Sequence, residues 1–333
     1  MQRIAIIGLG LIGGSLGLAL KQAKLQGVEI VGHDKEHSAA SKARKKGAVD
    51  KTEWNLLAAV EGASMVIIAT PVMAVKDVLQ HIGPKLPQDA IVTDAASTKE
   101  QVMGWAQEYL PDTVSFIGGH PMAGKESTGV EAAEAGLFKG ATYCLVPSSK
   151  AQPEATQRVT EMVQLIGAKP FFLDAAEHDV FVAGVSHLPM LISCALVTAT
   201  MRSPSWREMS RLAASGYRDI SRLASGSPEM NRDICLTNQT GILPWLNRYI
   251  EELEGYRLLV AEGGESLEKA PSLAQEGREH WLLHRERGEE ESHVEIPSAM
   301  DQLAGLMAGD KLAQRYRDLM KLMEERSQGK KRP

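Results

Sequence analysis

The chain has 333 residues, more than a single hydrophobic core usually supports, and this length predicts two domains. An aromatic content of 5% and a net charge of −5 argue against a stacking platform for single-stranded nucleic acid and against a general binder of polyanions. The three cysteines, Cys144, Cys194 and Cys235, lie far apart without metal-ligand spacing, so we expect a reduced cytoplasmic protein with no metal site. The first residues enter a strand pattern at once, which leaves no room for a secretory signal peptide.

The first predicted elements are a strand over residues 4–7 and a helix that begins after a glycine-rich turn. The turn has the spacing Gly-x-Gly-x-x-Gly. Its first glycine permits the tight turn, its second lets the backbone approach a pyrophosphate, and its third lets the helix pack close to the strand. Free N–H groups at the helix N-terminus favour the phosphates. The predicted dinucleotide site consists of Gly8, Gly10, Leu11, Ile12 and Gly13.

A carboxylate follows the second predicted strand, which covers residues 28–32. Asp34 lies 21 positions after Gly13, where a dinucleotide-binding fold places the acid that binds the adenosine ribose hydroxyls. This carboxylate would repel a 2′-phosphate, so NAD is favoured over NADP as the cofactor. Basic residues shortly after Asp34 keep some use of NADP open, and a solvated loop acid is the alternative interpretation of Asp34 itself.

Strands and helices then alternate, with further strands predicted over residues 65–69, 90–93, 114–117, 141–146 and 169–173. This alternation predicts a Rossmann-like, doubly wound α/β sheet of about eight strands in a domain of residues 1–173. Strand ends in such sheets point at the ligand crevice. The residues that we expect to line this cleft are Thr70, Pro71, Ser97 and His120. Ser97 could also form a capping box with Glu100 for the next helix, instead of or in addition to its role in the cleft.

His120 follows a short apolar strand that ends in Gly118 and Gly119, two residues too small to block a ligand. Pro121 stops a helix from forming across His120. A histidine, with an unperturbed pKa of about 6.5, can accept a proton near neutral pH. We therefore predict a catalytic base at the sheet edge. A turn histidine bonded to a backbone carbonyl is the alternative.

From Asp174 onwards the strand patterns end and long helical patterns follow, which predicts an all-α domain over residues 174–290 and a helical extension over 291–333. Residues 180–201 are apolar nearly all round, as in a helix buried on several sides, and such helices often pack across a two-fold axis. We therefore expect a homodimer formed by the helical domain. Polar residues and a proline interrupt the run, so we interpret it as a buried helix and not a membrane span.

Two stretches of the helical domain contain candidate substrate-binding residues. His187 is two residues before Pro189, which removes a backbone donor and favours a histidine that faces a cavity; a satisfied core histidine is the alternative. Asp219 and Arg222 are i,i+3 neighbours on a predicted helix, so the carboxylate would orient the guanidinium. Arginine can bind a substrate carboxylate through two parallel hydrogen bonds, whereas a surface ion pair is the alternative.

Several motifs occur together in the order and spacing of the prephenate dehydrogenase family of tyrosine biosynthesis, which the chain resembles over about residues 1–290. They are Gly8-x-Gly10-x-x-Gly13, Asp34, Asp94-Ala-Ala-Ser97-Thr-Lys, Gly119-His120-Pro-Met-Ala-Gly124-Lys-Glu126, Ser186-His187-Leu-Pro and Asp219-Ile-Ser-Arg222. The resemblance implies an NAD-dependent oxidative decarboxylation of prephenate to 4-hydroxyphenylpyruvate.

The resemblance also implies a role for each site residue. His120 would accept a hydrogen bond from the substrate 4-hydroxyl as hydride leaves the same carbon, and Ser97 would help to hold that hydroxyl. Arg222 would bind a substrate carboxylate. The other members of the polar pocket would be Glu126, His187 and Asp219.

Three alternatives and two departures from the family pattern accompany this interpretation. An arogenate dehydrogenase would perform the same chemistry on an amino side chain. A β-hydroxyacid dehydrogenase would need a catalytic lysine on the helical domain, but residues 174–268 contain no lysine. An NAD-binding redox sensor would need a DNA- or partner-binding module, and no basic helix-turn-helix pattern is present. Asn231 stands where relatives can carry an aromatic residue, and the roughly 43 residues after residue 290 are too few for the regulatory domain of some relatives.

Overall fold

The computed structural model describes residues 2–125, 127–287 and 298–299 of the chain. The chain divides into two compact units, Met1–Leu243 and Pro244–Pro333. The first unit therefore joins the α/β sheet to the helices that follow it as far as residue 243. The domain boundary at residue 173 remains a prediction, and the predicted extension of residues 291–333 lies almost entirely outside the described residues.

Eight strands of the described residues form a single sheet, as predicted, in the order β3-β2-β1-β4-β5-β6-β7-β8. The strands are β1 (Gln2–Ile7), β2 (Val28–His33), β3 (Lys51–Thr52), β4 (Met65–Ile68), β5 (Ile91–Asp94), β6 (Ser115–Pro121), β7 (Thr142–Pro147) and β8 (Lys169–Phe172). The first six strands are parallel, whereas β7 runs antiparallel to β6. The sequence did not predict β3, because two residues are too short to show a periodic pattern.

Six helices connect and cover the sheet. They are α1 (Leu11–Gln22), α2 (His37–Lys45), α3 (Leu56–Val60), α4 (Val72–Ile82), α5 (Glu100–Tyr109) and α6 (Pro153–Leu165). Successive side chains of a strand point to opposite faces, so Ile4 and Ile6 enter one buried core while Ala5 and Ile7 enter another. The sheet thus has a hydrophobic core on each face, as a doubly wound fold requires.

The chain after β8 is helical in the part that the structure describes. The first unit contains α7 (Ala175–Val182), a π-helical turn (Ala183–His187), α8 (Leu188–Met201), α9 (Trp206–Met209), α10 (Ser215–Ser221), a 3₁₀ turn (Arg222–Ser225) and α11 (Pro228–Thr237). Helix α12 (Gln239–Glu262) begins in the first unit, and α13 (Glu265–Arg287) belongs to the second. Helix α7 packs against α5 of the α/β part, and α11 packs against α4.

The helix that runs from Ala175 to Met201 through the π turn is only partly covered by its own chain. By length and composition alone it could cross a membrane, and 33% of its most apolar window is buried. Val185 is 76% exposed and Phe181 is 48% exposed. Within the single chain this helix is therefore covered on only some of its sides, and one of its apolar sides faces outwards.

Candidate active site

The parallel strands bring five predicted positions to one edge of the sheet. Strands β2, β1, β4, β5 and β6 are neighbours in that order and run in the same direction, so their carboxyl ends share an edge. In the order of those strands, the residues at or just beyond this edge are Asp34, Gly8, Thr70, Ser97 and His120. The strand order reverses between β1 and β4, which is where open α/β sheets bind their ligands.

The glycines of the turn after β1 are required for different reasons. Gly8 adopts φ +91°, and a Cβ there would lie 2.6 Å from the first carbonyl oxygen after β4. A Cβ on Gly13 would lie 1.9 Å from the Gly8 carbonyl oxygen. Gly10 instead has open space at its Cβ position and precedes α1 without a side-chain cap. The first N–H groups of α1, at Leu11 and Ile12, thus begin a helix beside an open space that suits a pyrophosphate.

The Asp34 carboxylate joins the end of β2 to the glycine turn. One of its oxygens accepts a hydrogen bond of 2.7 Å from the Leu9 N–H, and the other accepts one of 2.8 Å from the Glu36 N–H. Each carboxylate oxygen has a second lone pair, and Asp34 is only half-buried. The carboxylate is therefore held in place and can still accept the ribose hydroxyls of NAD.

Thr70 and Pro71 connect β4 to α4 beside the glycine turn. The Thr70 backbone nitrogen would lie 3.0 Å from a Cβ on Gly8. The Thr70 hydroxyl is buried and has no hydrogen-bond partner among the described residues. A buried hydroxyl without a partner is costly, and a polar group of a nucleotide bound at this edge could satisfy it.

His120, at the end of β6, is buried and faces a second imidazole. Its Nδ1 lies 2.9 Å from Nε2 of His178, and the two rings meet edge to face. The alternative prediction for His120 was a hydrogen bond to a backbone carbonyl, but Nδ1 contacts the His178 ring instead. Burial, with smaller effects from the nearby His178, Lys99 and His187, lowers the pKa of His120 well below its usual value. The ring is therefore neutral at physiological pH, as a proton acceptor must be.

A fully buried ion pair lies beneath His120. Lys99 and Asp94 pair with each other, and both side chains are inaccessible to solvent. The same carboxylate accepts hydrogen bonds from the backbone N–H groups of Gly119, at 3.0 Å, and Ala96, at 2.9 Å. Asp94 thus joins β5 to β6 and compensates the lysine charge that helps to keep His120 neutral. Both residues belong to the Asp94–Lys99 motif, but the motif alone does not show that they pair.

Gly118 and Gly119 make room for protein atoms, which corrects the expectation that they make room for a ligand. A Cβ on Gly119 would lie 2.4 Å from the Asp94 carbonyl oxygen. A Cβ on Gly118 would lie 2.9 Å from the Met103 sulfur and 3.1 Å from the Lys99 side chain. These glycines therefore allow β6 to pack closely against β5 and α5.

The predicted capping box of Ser97 and Glu100 is wrong. Helix α5 begins at Glu100, and no side chain caps it from the preceding residues. Instead the Asp179 carboxylate of α7 accepts hydrogen bonds from the backbone N–H groups of Lys99, at 2.7 Å, and Glu100, at 2.9 Å. Asp179, which is distant in the sequence, therefore caps α5. Ser97 is half-buried and lies in the connection between β5 and α5 at the cleft edge.

His187 ends the π-helical turn that separates α7 from α8. Such turns widen a helix locally and occur often at functional sites. The ring is buried, and Nδ1 lies 3.2 Å from the Asn238 side-chain nitrogen. Burial lowers the pKa of His187 to about 4. A hydrogen bond with the Ser97 backbone acts on the pKa of His187 in the opposite direction. A neutral imidazole close enough to affect the pKa of His120 suits a polar group of a bound substrate.

Arg222 and Asp219 lie outside this buried group. Helix α10 ends just before Arg222, which begins the following 3₁₀ turn, and both side chains are exposed. The Asp219 carboxylate is 3.7 Å from the Arg218 guanidinium. The segment packs against α8, the helix that follows His187. Glu126 lies outside the described residues.

His178 and Asp179 are the neighbours of His120 that sequence reasoning missed. His178 Nδ1 lies 2.7 Å from an Asp179 carboxylate oxygen, and both side chains are buried. The available signal was an adjacent His-Asp pair in an otherwise apolar helix. That signal is weak, because the bond between His120 and His178 joins residues 58 positions apart, a distance that no local pattern covers.

Three features together define the class of protein. They are a glycine turn at the switch point of a parallel sheet, a fixed acid at the end of the next strand, and a neutral histidine three strands away from the glycine turn. The chain is an NAD-dependent dehydrogenase with a Rossmann-like domain and a helical second part. Residues 16–171 match the family described as "Prephenate dehydrogenase, nucleotide-binding domain", and residues 174–271 match "Prephenate dehydrogenase, dimerization domain". The chain belongs to the prephenate dehydrogenase family, as the sequence motifs predicted.

Individual relatives agree with this membership. The chain is 33% identical to a prephenate dehydrogenase of Bacillus subtilis (strain 168), over 93% of this chain and 86% of the relative. It is similar to a crystal structure of prephenate dehydrogenase from A. aeolicus in complex with hydroxyphenyl propionate and NAD⁺, with a TM-score of 0.77, 27% identity and coverage of 84% and 97%. It is also similar to a crystal structure of Synechocystis arogenate dehydrogenase, with a TM-score of 0.66, 31% identity and coverage of 86% and 98%.

Proposed function

We propose that the enzyme oxidises and decarboxylates prephenate with NAD, giving 4-hydroxyphenylpyruvate, carbon dioxide and NADH. The observation that carries this proposal is His120: a buried histidine with a depressed pKa at the edge that also holds the glycine turn. The complex of the A. aeolicus relative with hydroxyphenyl propionate and NAD⁺ supports a hydroxyphenyl compound as the ligand class.

The chemistry needs an acceptor for the substrate hydroxyl. Bound NAD supplies the hydride acceptor, held by the glycine turn and by Asp34. His120 accepts a hydrogen bond from the 4-hydroxyl and so stabilises the positive charge that develops on that oxygen as the C4–H bond breaks. The bond to the ring carboxylate then breaks, its electron pair completes the aromatic ring, and carbon dioxide leaves. Ser97, beside the same edge, is proposed to hold the hydroxyl with His120.

The remaining site residues are proposed to bind the rest of the substrate. Arg222 provides a permanent positive charge for a carboxylate, and Asp219 and Glu126 would orient it. The buried His187 ring, beside the Ser97 backbone, would contact a polar substrate group. These assignments need the exposed segment that begins with Arg222 to approach the buried histidines when substrate binds.

An arogenate dehydrogenase is the second candidate, and the likeness to the Synechocystis enzyme supports it. Prephenate and arogenate differ in the keto or amino group of the side chain, remote from His120. Mixing the protein with NAD and each substrate should raise the absorbance of NADH, and the ratio of the two kcat/KM values would identify the preferred substrate. No NADH from either compound would contradict both candidates.

We also propose a cytoplasmic homodimer formed through the helix of residues 175–201. This helix lies in the part of the chain that matches a dimerization domain. Its exposed apolar side chains, including Val185 and Phe181, would be covered by a second copy. A partner subunit accounts for such a surface without a membrane.

A further inference from the structure

The hydrogen bonds around Asp179 show which of its neighbours donate to its carboxylate. One carboxylate oxygen accepts from the Lys99 N–H and lies 2.7 Å from His178 Nδ1, while the other accepts from the Glu100 N–H. Backbone N–H groups can only donate, so both Asp179 oxygens accept in these bonds, as the two oxygens of a carboxylate do. The imidazole nitrogen that faces the same oxygen must then donate, which places the proton of His178 on Nδ1.

The position of the proton on His178 determines the position of the proton on His120. In a neutral His178 with its proton on Nδ1, Nε2 is an acceptor. That nitrogen lies 2.9 Å from His120 Nδ1, so His120 must donate from Nδ1 and keep a free lone pair on Nε2. If His178 instead carried a proton on both nitrogens, its Nε2 would donate, and a neutral His120 would have its own proton on Nε2.

We infer that His178 and Asp179 are positioning residues, which hold His120 in the tautomer whose Nε2 accepts the hydrogen bond from the substrate hydroxyl. The catalytic consequence rests on the proposed function, whereas the tautomer itself does not. All three side chains are buried, so water does not compete for these bonds. The carboxylate is fixed by the start of α5 and His120 by β6, so the orientation of the ring is determined by two rigid elements and the helix between them.

Nitrogen NMR of the protein without substrate tests the tautomer directly. In protein labelled with [¹⁵N]histidine, with the His120 signals assigned by their loss in His120→Asn, Nδ1 should be protonated and Nε2 unprotonated at pH 7.5. A proton on Nε2 in the wild-type protein would overturn the inference. This result does not depend on which compound the enzyme oxidises, so it separates the inference from the proposed function.

Two substitutions at His178 test its consequence for turnover. His178→Leu removes the acceptor, and kcat should fall about tenfold or more, with the 10²- to 10⁴-fold that a positioned base usually contributes as the upper limit. KM for NAD should change less than about twofold. His178→Gln keeps an amide oxygen that can accept from His120 and should recover part of the lost kcat. Equal activity of the two variants, or wild-type kcat in His178→Leu, would contradict the positioning role.

Asp179→Asn has a matched control at the start of the same helix. Asp174 caps α7 itself, since its carboxylate accepts a bond of 2.8 Å from the Glu177 N–H. Only its backbone carbonyl contacts His178, as acceptor of a bond of 3.0 Å from the His178 N–H, and Asp174→Asn leaves that carbonyl in place. Asp179→Asn should lower kcat and shift the His120 proton towards Nε2, whereas Asp174→Asn should do neither. Similar losses in both variants would identify a capping effect alone. If Asp179→Asn fails to fold, the His178 pair and the wild-type spectrum still decide the inference.

Discussion

His120 must remain neutral to act as a base, and its surroundings extend the pH range in which it does. Burial lowers its pKa, and the groups that face it from other elements act in the same direction: Lys99 before α5, His178 on α7 and His187 in the π turn. We predict that kcat stays constant as the pH falls through 6.5 and declines only well below it. A pH profile at saturating NAD and prephenate would measure this. A decline in kcat that begins at pH 6.5 or above would show that the protonation of His120 does not control the pH dependence.

Asp34 offers a test of cofactor choice. Its replacement by asparagine keeps an acceptor for the Leu9 N–H but removes the negative charge near the ribose. We expect weaker NAD binding and a higher ratio of NADP to NAD in kcat/KM, because a 2′-phosphate no longer meets a carboxylate. Asp50, whose carboxylate accepts a hydrogen bond from the Ile30 N–H within β2, provides the control, and Asp50→Asn should leave the ratio unchanged. An unchanged ratio in Asp34→Asn would move the ribose site elsewhere.

Arg222 and Arg218 provide a matched pair for the carboxylate site. Both are exposed, and Arg218 lies beside Asp219. Arg222→Ala should raise KM for prephenate about 10- to 100-fold, with KM for NAD nearly unchanged; tenfold corresponds to about 1.4 kcal/mol. Arg218→Ala should change neither constant by more than about twofold. If both variants raise KM equally, the effect is one of general surface charge.

At the scale of elements, the contact between β5 and β6 depends on Gly119. Gly119→Ala should destabilise the protein by about 1–3 kcal/mol, the usual range for overpacking, because its Cβ would lie 2.4 Å from a backbone oxygen. Gly104→Ala on α5 is the control: its Cβ position is open, and alanine in a helix should be neutral or stabilising. Urea unfolding would measure both. A Gly119→Ala midpoint equal to that of the wild type would show that the strands can move apart without cost.

Much of the fold could be predicted because its signals are local. The glycine turn, the strand runs and the change to helical patterns after Asp174 are all visible within short windows, and the structure confirms eight strands followed by helices. The antiparallel direction of β7 could not be predicted, because an apolar run does not record its direction. The prediction for the cap of α5 was wrong for a related reason. A tertiary contact from Asp179, about 80 positions away, caps the helix in place of the local Ser-x-x-Glu pattern.

The site was predictable to the extent that single residues at strand ends are recognisable. His120, Asp34 and Ser97 follow strands, and the topology brings them to one edge. The network that supports His120 was not predictable, because His178 and Asp179 reach it from another part of the fold. Spacing can place a base at an edge, but it cannot identify the partner of its second nitrogen.

At the scale of the whole molecule, the exposed side of the helix of residues 175–201 predicts self-association. The chain should sediment at micromolar concentration with twice its mass of 36.1 kDa. Val185→Lys places a charge on the most exposed apolar position of that helix and should shift the protein towards monomer. Leu25→Lys, an exposed apolar position after α1, should leave the mass unchanged. A wild-type monomer would contradict the proposed dimer.

One helix carries both this apolar side and the residues next to the base. His178 and Asp179 lie on α7, and Phe181 follows them by less than one turn. In the proposed dimer, any strain that subunit separation placed on α7 would reach His120 directly through the hydrogen bond between His178 and His120, whereas the glycine turn after β1 lies three strands away from β6. Because coupling between two binding events is reciprocal, a ligand that orders His120 should tighten the dimer by the same factor by which dimerisation tightens that ligand. Specific activity would then rise with protein concentration, and the enzyme would respond to its own abundance.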